Sequence, residues 1–368
     1  MFHPKADQLR RIKIKGFKSI RECDIALSDI NVLIGSNGAG KSNFVSAFSL
    51  LQHILSKELS FYVGQNGINS LFYEGMKVTD AILMEFCFNQ TSYSYELVPT
   101  YNSSMIFKDE LFGYHGESDS IASISKGHNE SLWERGSGNT GIDEHVIPVL
   151  EKRQWRVYHF HDTGRNSKIK SEHNISNNKT LLHDASNLAA FLYRLRSQHP
   201  INYYNVVELV QLIAPYFKDF ELEPNGNNSE HIVLRWSQKG CEDIFNASQL
   251  SDGTLRFICL ATLLLQPIDL QPATIIIDEP ELGLHPYAIT VFAEIVKKAA
   301  VNKQIILSTQ SVELLNQFDV EDIIVVDRED NSTVFKRLDA DELAEWLDSD
   351  YTLGDLWNKN ILGGRLSR

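Results

Sequence analysis

The sequence predicts an α/β fold in which a sheet carries a phosphate-binding loop, and three observations predict it. The first is the run Gly35-Ser36-Asn37-Gly38-Ala39-Gly40-Lys41-Ser42, which fits G-x-x-x-x-G-K-S/T with both glycines, the lysine and the hydroxyl in place. The second is its setting: Ile30 to Ile34 reads as a buried strand before it, and Asn43 to Leu55 as a helix after it. The third is another apolar strand, Thr274 to Ile277, that ends in two carboxylates, Asp278 and Glu279.

The remaining elements follow from hydrophobic period. Arg11 to Phe17 alternates polar and apolar, and Cys23 to Leu27 follows at hairpin distance. Ala81 to Pro99 reads as a hairpin turning near Asn89–Ser92, with Ser104–Phe107 and Arg156–Phe160 as further strands. Residues 113–141 shift to Gly, Ser, Asn and charge, which predicts a mobile surface excursion. A second polar patch covers residues 163–180. From Ala185 apolar residues recur at spacings of three and four, and Tyr204 to Phe217 continues that helical pattern. Ile232 to Trp236 reads as a strand, Leu255 to Leu265 as a helix and Gln304 to Leu307 as a strand. There is no internal repeat and no sustained heptad.

With 368 residues, 43% hydrophobic and 23% charged, the chain has room for a sizeable core. No apolar run approaches the roughly 20 residues of a membrane span, and Met1-Phe2-His3-Pro4 does not open a secretory leader. Cys23, Cys87, Cys241 and Cys259 lack metal-binding or redox spacing, so free thiols in a cytoplasmic protein are expected. The net charge of −13 works against broad contact with nucleic acid, whose binding is driven by neutralising phosphates. It suits a basic protein partner equally well.

The chemistry follows from the three opening observations. A glycine-rich turn lets the backbone amides of Asn37, Gly38, Ala39 and Gly40 converge on phosphate oxygens, and the following helix adds its positive end. Lys41 supplies a charge for the β- and γ-phosphates of ATP, and Ser42 a hydroxyl for Mg²⁺. Asp278 at a strand tip holds the same Mg²⁺ in the Walker B manner, and Glu279 orients and deprotonates the attacking water. Ser251 and Gly253 start a second helix able to receive phosphate, or else form a plain helix cap.

Leu250 to Arg256 resembles a variant of the signature motif of ABC-type ATPases, with Asp252 and Thr254 departing from Leu-Ser-Gly-Gly-Gln. The order of loop, long insertion, signature, Asp278-Glu279 and Glu281 to Pro286 resembles ABC-class heads, within them the branch related to RecF, OLD and structural-maintenance-of-chromosomes proteins. More closely, the chain is similar to a family of stand-alone bacterial predicted ATPases. That likeness rests also on Tyr158 to Thr163, Asp184 to Ala190, Ser308 to Ser311, Leu353 to Trp357 and Gly363 to Arg365. It implies an ABC-type head with a mixed sheet, an antiparallel β lobe and a helical lobe.

The resemblance also implies a head-to-tail homodimer with ATP between one copy's loop and the other's signature, and Glu281 to His285 crossing the interface. Gln310 stands where such ATPases usually have a switch histidine. It can hydrogen-bond a γ-phosphate but cannot accept a proton as imidazole does, which points to slow turnover. No acidic nuclease cluster lies outside the head, so the expected role is regulation of a separately encoded effector, with phage defence as context. The rival is a RecF-like DNA-maintenance ATPase, and a transporter motor is a third class. Expected divisions are 1–175 with the loop and antiparallel lobe, 176–250 helical, 251–330 with signature, Walker B and switch, and a tail at 331–368.

Other residues keep two readings. His159, His161 and Asp162 share a strand face and suit a metal ion, or are satisfied structural groups. Asp184 and Asn187 cap the following helix or serve the nucleotide. Arg153, Arg156, Arg165, Lys168 and Lys170 are a solvated face or a contact for nucleic acid or nucleotide. The acidic run from Asp339 to Asp350 reads as an exposed helix.

Overall fold

A computed structural model describes residues 8–115, 119–151, 155–224, 229–347 and 351–364. The chain divides into two compact units, each assembled from separated stretches. The first holds Met1–Val157, Pro272–Ile276 and Lys303–Arg368; the second holds Tyr158–Gln271 and Ile277–Asn302.

The chain begins with β1 (Arg11–Phe17), β2 (Ile20–Ala26), β3 (Ile30–Ile34), α1 (Lys41–Leu55), α2 (Leu59–Asn66) and α3 (Ile68–Leu71). Four strands follow, β4 (Ile82–Cys87), β5 (Thr91–Pro99), β6 (Met105–His115) and β7 (Asp119–Ser125), then α4 (Thr140–Glu151) and β8 (Trp155–Tyr158). Next come β9 (His173–Asn174), α5 (Leu188–Gln198), α6 (Pro200–Ile213), β10 (Phe217–Glu221), β11 (His231–Ile232), β12 (Arg235–Gln238), β13 (Ile244–Asn246) and α7 (Asp252–Leu265). The last part runs β14 (Thr274–Asp278), α8 (Pro286–Ala300), β15 (Gln304–Thr309), α9 (Val312–Leu315), β16 (Ile323–Glu329), β17 (Ser332–Arg337), α10 (Ala340–Leu347) and α11 (Leu353–Asn358).

Two six-stranded sheets dominate, ordered β2-β1-β4-β5-β6-β7 and β17-β16-β3-β15-β14-β8. In the first, every neighbouring pair is antiparallel. Its alternation is visible in β1, where Ile12 and Ile14 are buried while Lys15 is exposed. The second is mixed, as expected: β3 pairs in parallel with β15 and β16, while β17 returns antiparallel to β16. Val32, Leu33 and Ile34 of β3 and all six residues of β15 are buried, the pattern of strands covered on both faces.

Helix α1 supplies a large part of the first unit's core. Phe44 and Phe48 lie one turn apart and meet edge to face at 5.6 Å, and Phe48 reaches Phe86 of β4 at 6.1 Å. Phe44 also meets Phe335 of β17 at 5.2 Å. In the second unit α6 packs on both α5 and α7, forming the helical part. Residues 119–125, inside the stretch expected to be a surface excursion, pair with β6 as an edge strand. Composition misled there because an edge strand with one wet face can be built from Ser and Ala. Cys23 and Cys259 are buried thiols, and Cys87 and Cys241 are half-buried ones.

Candidate functional site

The phosphate-binding loop belongs to the first unit. It leaves β3 at Gly35 and ends where α1 begins at Lys41. Asn37, Gly38 and Ser42 are exposed, while Ala39 and Lys41 are buried. Gly40 has φ of +116°, and a Cβ there would overlap the side chain of Thr333, so both backbone and space demand glycine. No side chain caps α1 and its first turn carries no acidic residue, which leaves its positive end directed at the loop. The Lys41 ammonium donates to the carbonyls of Gly35 at 2.7 Å and Ser36 at 3.1 Å. It therefore sits inside the curl of the loop, where a phosphate group would be cradled.

Supports reach the loop from distant sequence. Thr333 Oγ1 donates to the Ala39 carbonyl at 2.9 Å, lies 2.6 Å from Ser19 Oγ, and Asn43 Nδ2 donates to that same Ser19 oxygen at 2.7 Å. The Ser36 amide donates to the Gly364 carbonyl at 3.0 Å. Gln310 arrives through strand register: Thr309 pairs with Ile34 in the parallel β15–β3 ladder, so Gln310 and Gly35 leave neighbouring strands side by side.

The carboxylates Asp278 and Glu279 belong to the second unit. Asp278 is 7% exposed, and its Oδ1 has no hydrogen-bond partner among the described residues. Such a buried carboxylate oxygen costs free energy unless a cation or donor meets it, so the residue fits a divalent ion. Glu279 has φ of +45°, rare for a residue with a side chain and a form of strain that clusters at functional sites.

Ser251 is the N-cap of α7, its Oγ accepting from the Thr254 amide at 3.1 Å. At Gly253 a Cβ would run into the Gly283 carbonyl oxygen, so the segments Leu250–Arg256 and Glu281–His285 meet backbone to backbone. A notch of about 140 Å³ lies there, lined by Ser251, Gly253, Thr254, Gly283 and His285. The buried guanidinium of Arg256 holds the arrangement, donating to the carbonyls of Phe160 at 2.8 Å, His161 at 3.0 Å and Leu282. Burial lowers its pKa from the ordinary value, with nearby anionic groups opposing.

Residues 30–316 match the family described as "AAA domain, putative AbiEii toxin, Type IV TA system". The chain belongs to this AAA-domain family. A 70-residue stretch is 44% identical to the DNA replication and repair protein RecF of Vibrio vulnificus strain YJ016, covering 18% of this chain and 20% of that one. The RecF of Vibrio atlanticus is 40% identical over 74 residues, 19% of this chain and 21% of its own. The chain thus matches only about a fifth of the length of these curated relatives.

Solved structures match nearly the whole chain. An Smc head bound to the C-winged helix domain of ScpA aligns at TM-score 0.55 and 15% identity, over 92% of this chain and 99% of that one. An Smc head with an extended coiled coil, bound to the C-terminal domain of ScpA derived from Pyrococcus furiosus, aligns at 0.55 and 15% over 93% and 99%. The fold of this AAA-domain protein is that of an ABC-class ATPase head of the RecF and SMC kind.

Several sequence readings change in this AAA-domain protein. Asp162 is exposed, and the carboxylate grouped with His159 and His161 is Asp278 instead. Linear spacing could not show this, because Asp278 lies 117 positions from His161, whose Nε2 donates to the Asp278 carbonyl at 2.9 Å. Burial lowers the His159 pKa from its ordinary value, with Asp278 opposing and His161 and His183 adding to the shift. Asn187 does not cap α5 through its side chain; it ties the preceding loop by accepting from the Leu182 amide and donating to the carbonyls of Asn177 and Thr180. Asp184 accepts from the Ser186 amide at 3.0 Å.

Lys170 is not part of an open basic face. Its ammonium donates to the Thr163 carbonyl at 2.6 Å and pairs with Asp252 at 3.4 Å. Arg153 and Arg365 lie outside the described residues, as do residues 348–350 of the acidic run; Asp341 and Glu342 in α10 are exposed as expected. Sequence reasoning missed Thr333 and Ser19 as supports and Arg256 as a positioning residue. Replacing Gly253 with Ala is expected to cost about 1–3 kcal/mol through overpacking, read as a lower denaturant midpoint with an unchanged slope.

Proposed function

We propose that this protein binds ATP with Mg²⁺ and hydrolyses it slowly, and that two copies pair head to tail around the nucleotide to control a separate effector protein. The observation that carries this reading is the loop itself: an uncapped α1, a buried Lys41 ammonium inside the curl, and Gln310 at its side through the β3–β15 register. Membership of the AAA-domain family supports it.

The residues take the following parts. The loop amides of Asn37, Gly38, Ala39 and Gly40 bind the phosphates, and Lys41 balances their charge. Ser42 and Asp278 hold Mg²⁺, which when bound neutralises charge on the β- and γ-phosphates. Glu279 orients a water and takes its proton as the water oxygen bonds to the γ-phosphorus and the bond to ADP breaks. Gln310 hydrogen-bonds the γ-phosphate without accepting a proton, in keeping with slow turnover. Ser251 and Gly253, beside their notch, receive the phosphates held by a second copy.

A cytoplasmic setting suits four free thiols, and no described helix is long and apolar enough to cross a membrane. The partial likeness to RecF supports a second reading, an ATPase of DNA repair or maintenance. Filter binding at two salt concentrations separates the two: tight ATP-dependent DNA binding that weakens steeply with salt favours the second.

Lys41→Ala is expected to weaken ATP binding by about 10- to 100-fold, the worth of a charge-assisted hydrogen bond, in a calorimetric titration. Glu279→Gln is expected to keep ATP affinity and slow hydrolysis by about 10²- to 10⁴-fold. With ATP trapped, that variant should sediment as a dimer; a monomer saturated with ATP would contradict the pairing.

A further inference from the structure

We propose that His159, His161 and Asp278 form a binding site for a divalent transition ion of the Zn²⁺ and Co²⁺ class. The proposal rests on the reading of Asp278 as a cation ligand and concerns the chain without nucleotide, in which Asp278 is not engaged with the Mg²⁺ of Mg²⁺·ATP. One ligand atom from each of the three side chains lies within 4.8 Å of the other two. All three residues fall inside the second unit.

Two observations say that the group is not already satisfied by its own contacts. Asp278 Oδ1 is buried without a hydrogen-bond partner among the described residues. Its Oδ2 stands 3.8 Å from His159 Nδ1, too far for a hydrogen bond. The bland alternative, a pair of structural histidines closing on an aspartate, would leave no such oxygen over.

A hydrogen bond to the backbone orients one of the imidazoles. The backbone carbonyl of Asp278 can only accept, so His161 Nε2 donates to it and Nδ1 is the ring nitrogen left to face an ion. Anchoring one ring nitrogen on a carbonyl is how metal-binding histidines are oriented. His159 and His161 follow just past β8, and their ring centroids lie 5.9 Å apart. Arg256 pins that segment through the carbonyls of Phe160 and His161.

Chemistry then selects the ion. Mg²⁺ prefers oxygen ligands in a near-ideal octahedron, whereas two imidazoles and one carboxylate suit Zn²⁺, Co²⁺ or a similar ion. Ligands about 2.1 Å from such an ion stand roughly 3.4 Å apart in a tetrahedron, so binding draws the two rings inward by side-chain rotation. Both rings have that freedom, His161 being exposed and His159 only partly buried. Three protein ligands leave a fourth position open for a water or a phosphate oxygen.

Co²⁺ titration of the full-length protein in metal-free buffer without nucleotide tests the site, followed by visible absorption and calorimetry. One Co²⁺ per chain is expected, displaceable by Zn²⁺. His159→Gln, His161→Gln and Asp278→Asn should each weaken binding tenfold or more while circular dichroism stays unchanged. Lys41→Ala should leave Co²⁺ affinity within twofold. No saturable Co²⁺ binding by the wild-type chain, or histidine variants that bind as the wild type does, overturns the site. Mg²⁺·ATP binding measured on the same samples separates the two readings. Mg²⁺·ATP without Co²⁺ refutes the transition-ion site alone, and Co²⁺ without Mg²⁺·ATP refutes the ATP reading alone.

Discussion

Strand β3 is buried on both faces between parallel partners, and the loop's geometry depends on that constraint. A strand without water on either side must satisfy its backbone groups within the ladder, which leaves the register with β15 and β16 no latitude. The pairing of Thr309 with Ile34 then decides where the chain leaves the sheet. A one-residue slip would carry Gln310 away from Gly35 and turn its side chain to the opposite face. A glycine-rich loop is soft by itself; here the sheet, not the loop, determines what stands beside it.

In the second unit the organising group is the Arg256 guanidinium. One planar fork with donors in fixed directions gathers carbonyls from Phe160, His161 and Leu282. Three segments far apart in sequence are thereby held in one arrangement, and each carries residues of interest: Ser251 and Gly253, His159 and His161, and the turn around Gly283. Lysine could not replace it, because a single ammonium cannot span acceptors spread across the fork.

Much of this was legible in the sequence because it is local. The loop, the strand before it, the helix after it and the strand ending in Asp278 are contiguous patterns whose period and composition name them. Individual strands such as Arg11 to Phe17 were visible in their alternation, while the mixed sheet and the antiparallel lobe came from the family resemblance. What stayed hidden is contact between distant residues. Thr333 supports Ala39 from 294 positions away. Asp278, rather than adjacent Asp162, joins the two histidines because folding and not spacing brings it there. Asn187 looked like a helix cap because Asn often is one, yet its amide has three backbone partners in the loop before α5.

The loop's supports also set an order of events. Residues 35–42 are made before their supports: β15 and β16 flank their strand, Thr333 props Ala39 and Gly364 takes the Ser36 amide. A nascent chain therefore carries its glycine-rich segment without this scaffold until residues as far along as Gly364 have been made. Assembly of the loop therefore waits on contacts of long sequence separation, Thr333 with Ala39 and Gly364 with Ser36, which carry a large loop-closure cost.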